Sequence, residues 1–203
     1  MIKAIYQLPS EFKNSTLQDI NREYIRALHE AEHLEDPDNP KIDEIEAQEC
    51  PISTDGVELL EWIASQDVDR RIDNIVLHCT ATPQTTKVVS ILNYWKQVLG
   101  WTNPGYHIIL PREGFTILAD LQQICNGARG INHSSIHISY VGGVTKNKKP
   151  IDNRTESQRE LMKLAVKKLK EKFPNAEIIG HNEVSNKSCP CFNVQVWKKK
   201  ELN

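Results

Sequence analysis

Three side chains in the C-terminal half of the chain have the chemistry of metal ligands. His78 ends one short apolar run, His181 follows another, and Cys189 comes eight residues after His181. Zinc prefers imidazole nitrogen and thiolate sulfur, and three protein ligands leave a fourth position open. Such a site hydrolyses bonds by polarising a carbonyl and activating water. Spacing alone leaves Cys191 as a rival to Cys189, because a single proline separates the two cysteines.

Two short strands would position these ligands. Residues 75–78 and 176–180 are short apolar runs, which predict buried strands. Periodicity and turn residues predict further elements: a helix over 85–99, a hairpin of 106–110 with 115–118, a strand over 135–141, a helix from the Thr155 cap to about 172, and a helix over 194–201. Strands that alternate with helices predict an α/β fold with a central mixed β-sheet flanked by helices. We expect the strand that begins at Tyr106 to lie beside the strand of His78, with Tyr106 and His107 on its opposite faces.

The charge is unevenly divided along the chain. Residues 1–72 contain 7 basic and 17 acidic residues, a balance of −10, whereas residues 73–203 contain 18 and 10, a balance of +8. This division predicts an acidic, mainly helical N-terminal extension over 1–72 and a separate domain over 73–203. Helical spacing of apolar residues over 17–34 and over 57–65 supports the helices. Short isolated helices are marginal in water, so we expect the extension to dock on the basic domain.

Composition also argues against several classes of protein. The formal net charge of −2 argues against a nucleic-acid partner, and no apolar run is long enough for a membrane span. A basic segment followed by an apolar stretch is absent from residues 1–12, so we expect no signal peptide and synthesis in the cytoplasm. Five cysteines, an odd number, favour metal or thiolate chemistry over a disulfide scaffold.

Five motifs then occur in a recognisable order. They are Leu77-His78-Cys79-Thr80-Ala81-Thr82, Trp95 with Gly100-Trp101, Gly105-Tyr106-His107, Asn132-His133-Ser134-Ser135-Ile136 with Val141-Gly142-Gly143, and His181-Asn182-Glu183-Val184 with Lys187-Ser188-Cys189-Pro190. Together, over residues 73–197, they resemble the zinc-dependent N-acetylmuramoyl-L-alanine amidases, which include short phage lysozymes and peptidoglycan recognition proteins. The resemblance implies that 73–203 is a catalytic domain with the amidase fold.

The resemblance also implies the reaction and its residues. The reaction is hydrolysis of the amide between N-acetylmuramic acid and L-alanine in peptidoglycan. His78, His181 and Cys189 would hold Zn²⁺, with Cys189 ranked above Cys191 because it directly precedes the proline of the motif. Tyr106 and Lys187 would be catalytic, and Lys187 would stabilise the oxyanion. The substrate would be peptidoglycan or muropeptides, reached after release from the cytoplasm by another route.

The substrate contacts are expected at three further residues. Trp101 and Asn132 belong to the matched motifs, and Arg129 could pair with a stem-peptide carboxylate. The chain departs from the family at two places: Gly127 stands where many members have a loop histidine, and Lys96 replaces a histidine after the helix tryptophan. These departures concern the substrate subsite and leave the predicted zinc ligands intact.

The remaining titratable residues have structural interpretations. We expect His107 and His137 to pack, His133 to form loop hydrogen bonds, and Glu183 to cap a loop in preference to acting as a general base. His29 and His33 lie four residues apart in the acidic extension, where an exposed helix face is the favoured interpretation over a metal site.

Three other functions are compatible with the motifs. One is a module of the same fold that binds muropeptides without cleaving them, although such proteins usually lack the cysteine ligand. Another is a regulatory protein, since phage lysozymes of this type can also bind a polymerase. The third is a cytosolic amidase that recycles wall fragments.

Overall fold

The computed structural model describes residues 56–202, which contain a five-stranded sheet. The strands are β1 (Asn74–Cys79), β2 (Ile108–Leu110), β3 (Thr116–Ile117), β4 (Ser135–Tyr140) and β5 (Glu177–Gly180). Their order is β3-β2-β4-β1-β5, and every pair is parallel except β2 with β3. The sheet confirms the predicted mixed α/β fold.

Four α-helices accompany the sheet in this part of the chain: α1 (Gly56–Ser65), α2 (Val88–Asn93), α3 (Glu156–Lys172) and α4 (Val194–Glu201). A π-helical turn, Tyr94–Val98, continues α2. The predicted helix over 85–99 therefore begins three residues late, and Gly100 follows it in the left-handed region at φ 66°. Helix α3 begins as predicted, because the Thr155 hydroxyl accepts from the Gln158 backbone N–H while the Gln158 side chain accepts from that of Thr155. None of these helices is long and apolar enough to span a membrane.

The main core lies on one face of the sheet. Ile75, Leu77 and Cys79 of β1 belong to it, together with Ile136, Ile138 and Tyr140 of β4 and the buried sides of α1, α3 and α4. Side chains alternate along a strand, so His78 and His137 project from the opposite face. A second cluster around Trp95 and Ile109 covers part of that face.

Helix α1 lies N-terminal to the predicted boundary at 72/73. Its Leu59, Trp62 and Ile63 are buried in the main core, where α1 packs against α3. The helix predicted over 57–65 is thus confirmed and belongs to the same compact unit as the sheet. The helix predicted over 17–34, with His29 and His33, lies outside the described residues.

The sheet order corrects one expectation about Tyr106. We expected the strand that begins at Tyr106 to lie beside β1, but this is wrong, because β4 lies between β1 and β2. The strand also begins only at Ile108, so the alternation of faces does not apply to Tyr106 and His107.

Candidate metal centre

His78, His181 and Cys189 meet at one edge of the sheet. Strands β1 and β5 are parallel, with Leu77 opposite Gly180. The residues that follow these two, His78 and His181, therefore lie side by side. Their ring centroids are 4.7 Å apart. Cys189 comes from the loop before α4, and its Sγ is 3.7 Å from Nδ1 of His78. One ligand atom from each of the three residues lies within 4.8 Å of those of the other two.

The geometry separates the two rival cysteines. Cys189 Sγ accepts a hydrogen bond from the Cys79 backbone N–H at 3.2 Å and faces His78. Cys191 Sγ instead lies 3.6 Å from Cys79 Sγ and donates to the Gly143 carbonyl at 3.2 Å. Only Cys189 therefore joins the histidine pair in the described part of the chain.

The environment keeps both histidines in the form that binds metal. Burial, together with the charges of neighbouring histidines and of Lys187, lowers the pKa of His78 well below its ordinary value. Burial and the charge of Lys187 also lower the pKa of His181. Neutral imidazoles and a cysteine that can be deprotonated are the donor set of a zinc site with an open position. The three residues therefore fit zinc by chemistry and proximity.

Tyr106 lies against the histidine pair. Its ring centroid is 5.0 Å from that of His78, and its edge packs on Trp95 at 5.1 Å. Its hydroxyl donates to the Cys79 carbonyl at 3.4 Å. Burial, and the nearby Cys189, raise the pKa of Tyr106 above its ordinary value, so the phenol keeps its proton at neutral pH.

Lys187 lies on the exposed loop between His181 and Cys189. Its charge is close enough to lower the pKa of both His78 and His181. The loop is ordered locally: the Lys187 backbone N–H donates to Ser185 Oγ at 3.4 Å, and Ser185 Oγ donates to the His181 carbonyl at 2.8 Å. The positive charge of Lys187 thus acts on both candidate histidine ligands from an exposed loop.

The expected substrate residues have visible structural contacts. Trp101 stacks on Trp95 with ring centroids 5.9 Å apart. Asn132 Oδ1 accepts from the Ala128 backbone N–H at 2.7 Å and so anchors the loop that carries the exposed Arg129. Contact of these residues with substrate stays a prediction.

The structural interpretations of His107 and Glu183 are confirmed. His107 is buried and lies 2.9 Å from the Gln123 carbonyl, and its Nδ1 accepts from the His137 backbone N–H at 2.9 Å. Glu183 accepts from the Gly180 backbone N–H at 2.6 Å and from Gln195 at 2.9 Å, as a loop cap does.

His137 has a contact that sequence analysis missed. It is buried as expected, but its Nδ1 lies 3.1 Å from Nε2 of His78. The alternation of β4 could have placed His137 on the face that carries His78. That inference also needs the pairing of β4 with β1, which a single sequence does not reveal.

This part of the chain is similar in sequence to known proteins. Residues 68–192 match the family model for N-acetylmuramoyl-L-alanine amidase. The chain is 35% identical to the endolysin of Escherichia phage T7 over 134 residues, covering 64% of this chain and 88% of the endolysin. It is 33% identical to the endolysin of Klebsiella phage KP32 over 132 residues, with coverages of 63% and 87%.

Solved structures share the fold. The Ph2119 endolysin from a bacteriophage of Thermus scotoductus superposes with a TM-score of 0.55 at 23% identity, covering 64% of this chain and 85% of that protein. The amidase LysCS from Clostridium intestinale gives a TM-score of 0.56 at 21% identity, with coverages of 64% and 84%.

Proposed function

Because this chain belongs to the N-acetylmuramoyl-L-alanine amidase family, we propose that His78, His181 and Cys189 hold the zinc ion with which it hydrolyses peptidoglycan. The bond cleaved is the amide between N-acetylmuramic acid and L-alanine. The observation that carries the zinc proposal is the convergence of three ligand atoms, two nitrogens and one sulfur, within 4.8 Å. A bound zinc ion supplies Lewis-acid polarisation of the scissile carbonyl and lowers the pKa of a water towards about 7.

The surrounding residues support this ligand set. The Cys79 backbone N–H, 3.2 Å from Cys189 Sγ, stabilises a thiolate there by donating to it. Two neutral imidazoles and one thiolate would leave a bound divalent cation with a net positive charge, so the loaded site would attract the carbonyl oxygen of an amide.

Tyr106 is proposed to hold the reacting groups in place. Its phenol is protonated at neutral pH, and its hydroxyl lies at the site by its bond to the Cys79 carbonyl. A protonated hydroxyl can donate a hydrogen bond to the substrate carbonyl and can assist proton transfer. Its packing on Trp95 fixes the ring in this orientation.

Lys187 is proposed to stabilise charge in the transition state. Attack on the amide carbon moves negative charge onto the carbonyl oxygen. An ammonium group at the solvent edge of the site, near both histidines, reduces the cost of that charge. Exposure lets Lys187 move towards the substrate without disturbing the core.

The substrate is peptidoglycan or its muropeptides, and we propose that Trp101, Arg129 and Asn132 contact it. Arg129 is exposed and would pair with a stem-peptide carboxylate. The relatives named endolysins support a further proposal, that the protein is made in the cytoplasm and reaches the wall by another route of release.

One experiment tests the whole proposal. The purified protein is analysed for zinc and incubated with intact sacculi and with soluble muropeptides, and release of new L-alanine amino groups is measured. We expect about one zinc per chain and cleavage of both substrates. Cleavage of intact sacculi indicates a lytic enzyme, whereas cleavage of soluble muropeptides alone would indicate a recycling enzyme. Zinc-loaded protein that binds sacculi but releases no amino groups would instead indicate a binding module.

A further inference from the structure

The buried imidazole of His137 lies directly behind the candidate ligand His78. His137 is opposite Val76 in the parallel pairing of β4 with β1, two positions before the pair His78 and Ser139. Its side chain has no exposed surface. Its ring stacks on that of His107, with centroids 5.7 Å apart and planes inclined by 19°. The imidazole of His137 is therefore held between the ring of His107 and the candidate metal centre.

The two nitrogens of His78 have different neighbours. Nδ1 faces Cys189 Sγ at 3.7 Å, whereas Nε2 faces Nδ1 of His137 at 3.1 Å. If Nδ1 of His78 is the ligand atom, it needs a free lone pair, and the proton of the neutral ring must be on Nε2. That proton then points at Nδ1 of His137, which must accept it.

This arrangement also fixes the proton of His137. With Nδ1 as acceptor, the neutral ring carries its proton on Nε2, which has no hydrogen-bond partner among residues 56–202. Buried polar atoms without a partner are unusual in folded proteins. The bond to His78 is thus the one side-chain hydrogen bond that the buried ring of His137 makes within this part of the chain.

From these contacts we propose that His137 is a positioning residue for the metal ligand His78. It accepts the Nε2–H of His78 and thereby presents Nδ1 of that ring to the metal. The inference rests on the proposed zinc site. A metal-bound histidine commonly donates the N–H of its other ring nitrogen to an acceptor that orients the ring. Here that acceptor is Nδ1 of His137.

Gly127 provides the space that His137 occupies. A Cβ atom at residue 127 would lie 2.5 Å from Nδ1 and 2.6 Å from Cγ of His137, and 2.8 Å from the Gly105 carbonyl oxygen. The loop cannot move away easily, because Asn126 N–H donates to the Pro104 carbonyl at 2.8 Å and Ala128 N–H to Asn132 at 2.7 Å. Any side chain at 127 would displace the imidazole. In this chain an imidazole therefore enters from the strand beside the position where many family members have a loop histidine.

The test measures zinc affinity by competition with a chelator. His137→Leu removes the acceptor while keeping an apolar group, and we expect the zinc dissociation constant to rise about 10- to 100-fold. His137→Asn keeps an acceptor oxygen near the position of Nδ1 and should recover most of the loss. The matched control is His133→Leu, which removes an exposed histidine and should leave zinc affinity unchanged. An affinity of His137→Leu within twofold of the parent would overturn the proposal.

A double-mutant cycle tests the role of Gly127. Gly127→Ala should weaken zinc binding in the parent and cause a smaller further loss in a His137→Ala background, because the displaced ring is then absent and only the Gly105 carbonyl still crowds the new Cβ. Equal losses of zinc affinity in the two backgrounds would show that residue 127 acts independently of His137. They would contradict the proposal that Gly127 provides the space for the His137 ring.

Nitrogen-15 NMR of the zinc-loaded parent gives a reading independent of the variants. We expect the proton of His78 on Nε2 and that of His137 on Nε2, with Nδ1 of His137 unprotonated. A proton on Nδ1 of His137 would overturn the proposal even if His137→Leu fails to fold. A parent protein that binds no zinc would contradict the proposed function itself. Variants that bind zinc as tightly as the parent would contradict only the role of His137.

Discussion

His78 and His181 come from adjacent parallel strands in matched register, and their ring centroids are 4.7 Å apart. The pairing of Leu77 with Gly180 sets this distance, so the backbone of the sheet determines how close the two imidazoles are. The ligand pair thus depends on the pairing of the inner strand β1 with the edge strand β5. Cys189 lies on a loop, so no strand pairing places it, and its position depends on contacts such as the hydrogen bond from the Cys79 backbone N–H.

The first prediction separates the two cysteines. Cys189→Ser should reduce zinc from about one per chain to a small fraction, because a hydroxyl is a poor replacement for a thiolate ligand. Cys191→Ser, the matched control, should retain zinc, since its Sγ faces Cys79 and Gly143. Metal analysis after dialysis checks both. The ligand assignment would be wrong if Cys191→Ser lost the metal and Cys189→Ser kept it.

The second prediction concerns Lys187. Lys187→Ala should keep zinc and the melting temperature but lower kcat about 100- to 1000-fold, the usual effect of removing a group that stabilises an oxyanion. Lys199→Ala, which removes another exposed lysine, should remain active. Loss of zinc in Lys187→Ala would instead assign the lysine to the structure of the site.

The third prediction concerns the Tyr106 hydroxyl. Tyr106→Phe keeps the ring that packs on Trp95 and His78 but removes the donor, so fold and zinc content should be unchanged. Activity should fall by about two orders of magnitude or more. Release of L-alanine amino groups from sacculi checks this, and a fully active Tyr106→Phe protein would exclude a catalytic role for the hydroxyl.

The fourth prediction concerns pH and His107. Burial, aided by the charge of Arg70 and opposed by its bond to Gln123, lowers the pKa of His107 to about 4. Below pH about 6.5 the unfolded chain takes up a proton at this residue, whereas the folded chain does so only near pH 4, so stability falls as pH falls between these values. Each pH unit in this window costs about 1.4 kcal/mol for one such group.

His107→Asn, which retains an acceptor for the His137 backbone N–H, isolates this contribution. The free energy of unfolding is measured with urea between pH 7 and 4.5, in protein from which a chelator has removed the metal. It should change less steeply with pH in the variant, by about 1.4 kcal/mol per pH unit. Identical slopes for parent and variant would mean that His107 titrates normally in the folded protein.

The fifth prediction concerns the N-terminal residues. Deleting residues 1–70 removes α1, whose Trp62 alone is expected to contribute about 3–5 kcal/mol, and Arg70, whose guanidinium donates to the carbonyls of Leu121, His133 and Ser135. We expect that protein to unfold or melt much lower. Deleting residues 1–55 keeps these contacts.

Comparison of the full chain with the 1–55 deletion tests the docking expected from charge. The charge balance predicts a higher melting temperature for the full chain at low salt, with a difference that shrinks as salt rises. Equal melting temperatures at all salt concentrations would contradict docking of residues 1–55.

Sequence patterns predicted those elements whose signals are local. The capping box at Thr155 gave the start of α3, and the apolar runs before His78 and His181 gave β1 and β5. Motif order pointed to the three residues that converge, although spacing alone left Cys191 open. These signals work because each depends on neighbours within a few residues.

The missed features depend on pairing between distant segments. β4 lies between β1 and β2, so the strand that follows Tyr106 is not the neighbour of β1 that we expected, and strand order is a tertiary property. The contact between His137 and His78 joins residues 59 apart in the sequence. It exists because two strands are in parallel register and because residue 127 has no side chain, and neither condition is visible at His137 itself.

The register of β1 with β5 also governs when the enzyme can become active. His78 and Cys189 are separated by 111 residues, so nearly the whole domain must be synthesised before the ligands can meet. An incomplete nascent chain that lacks β5 and the following loop has one ligand of three. Zinc that binds only the folded form would then stabilise the finished protein by about 4.1 kcal/mol at a free concentration 1000 times its Kd. On the proposed ligand set, metal uptake and the capacity to cut the cell wall thus both wait for synthesis of β5 and the loop that follows it.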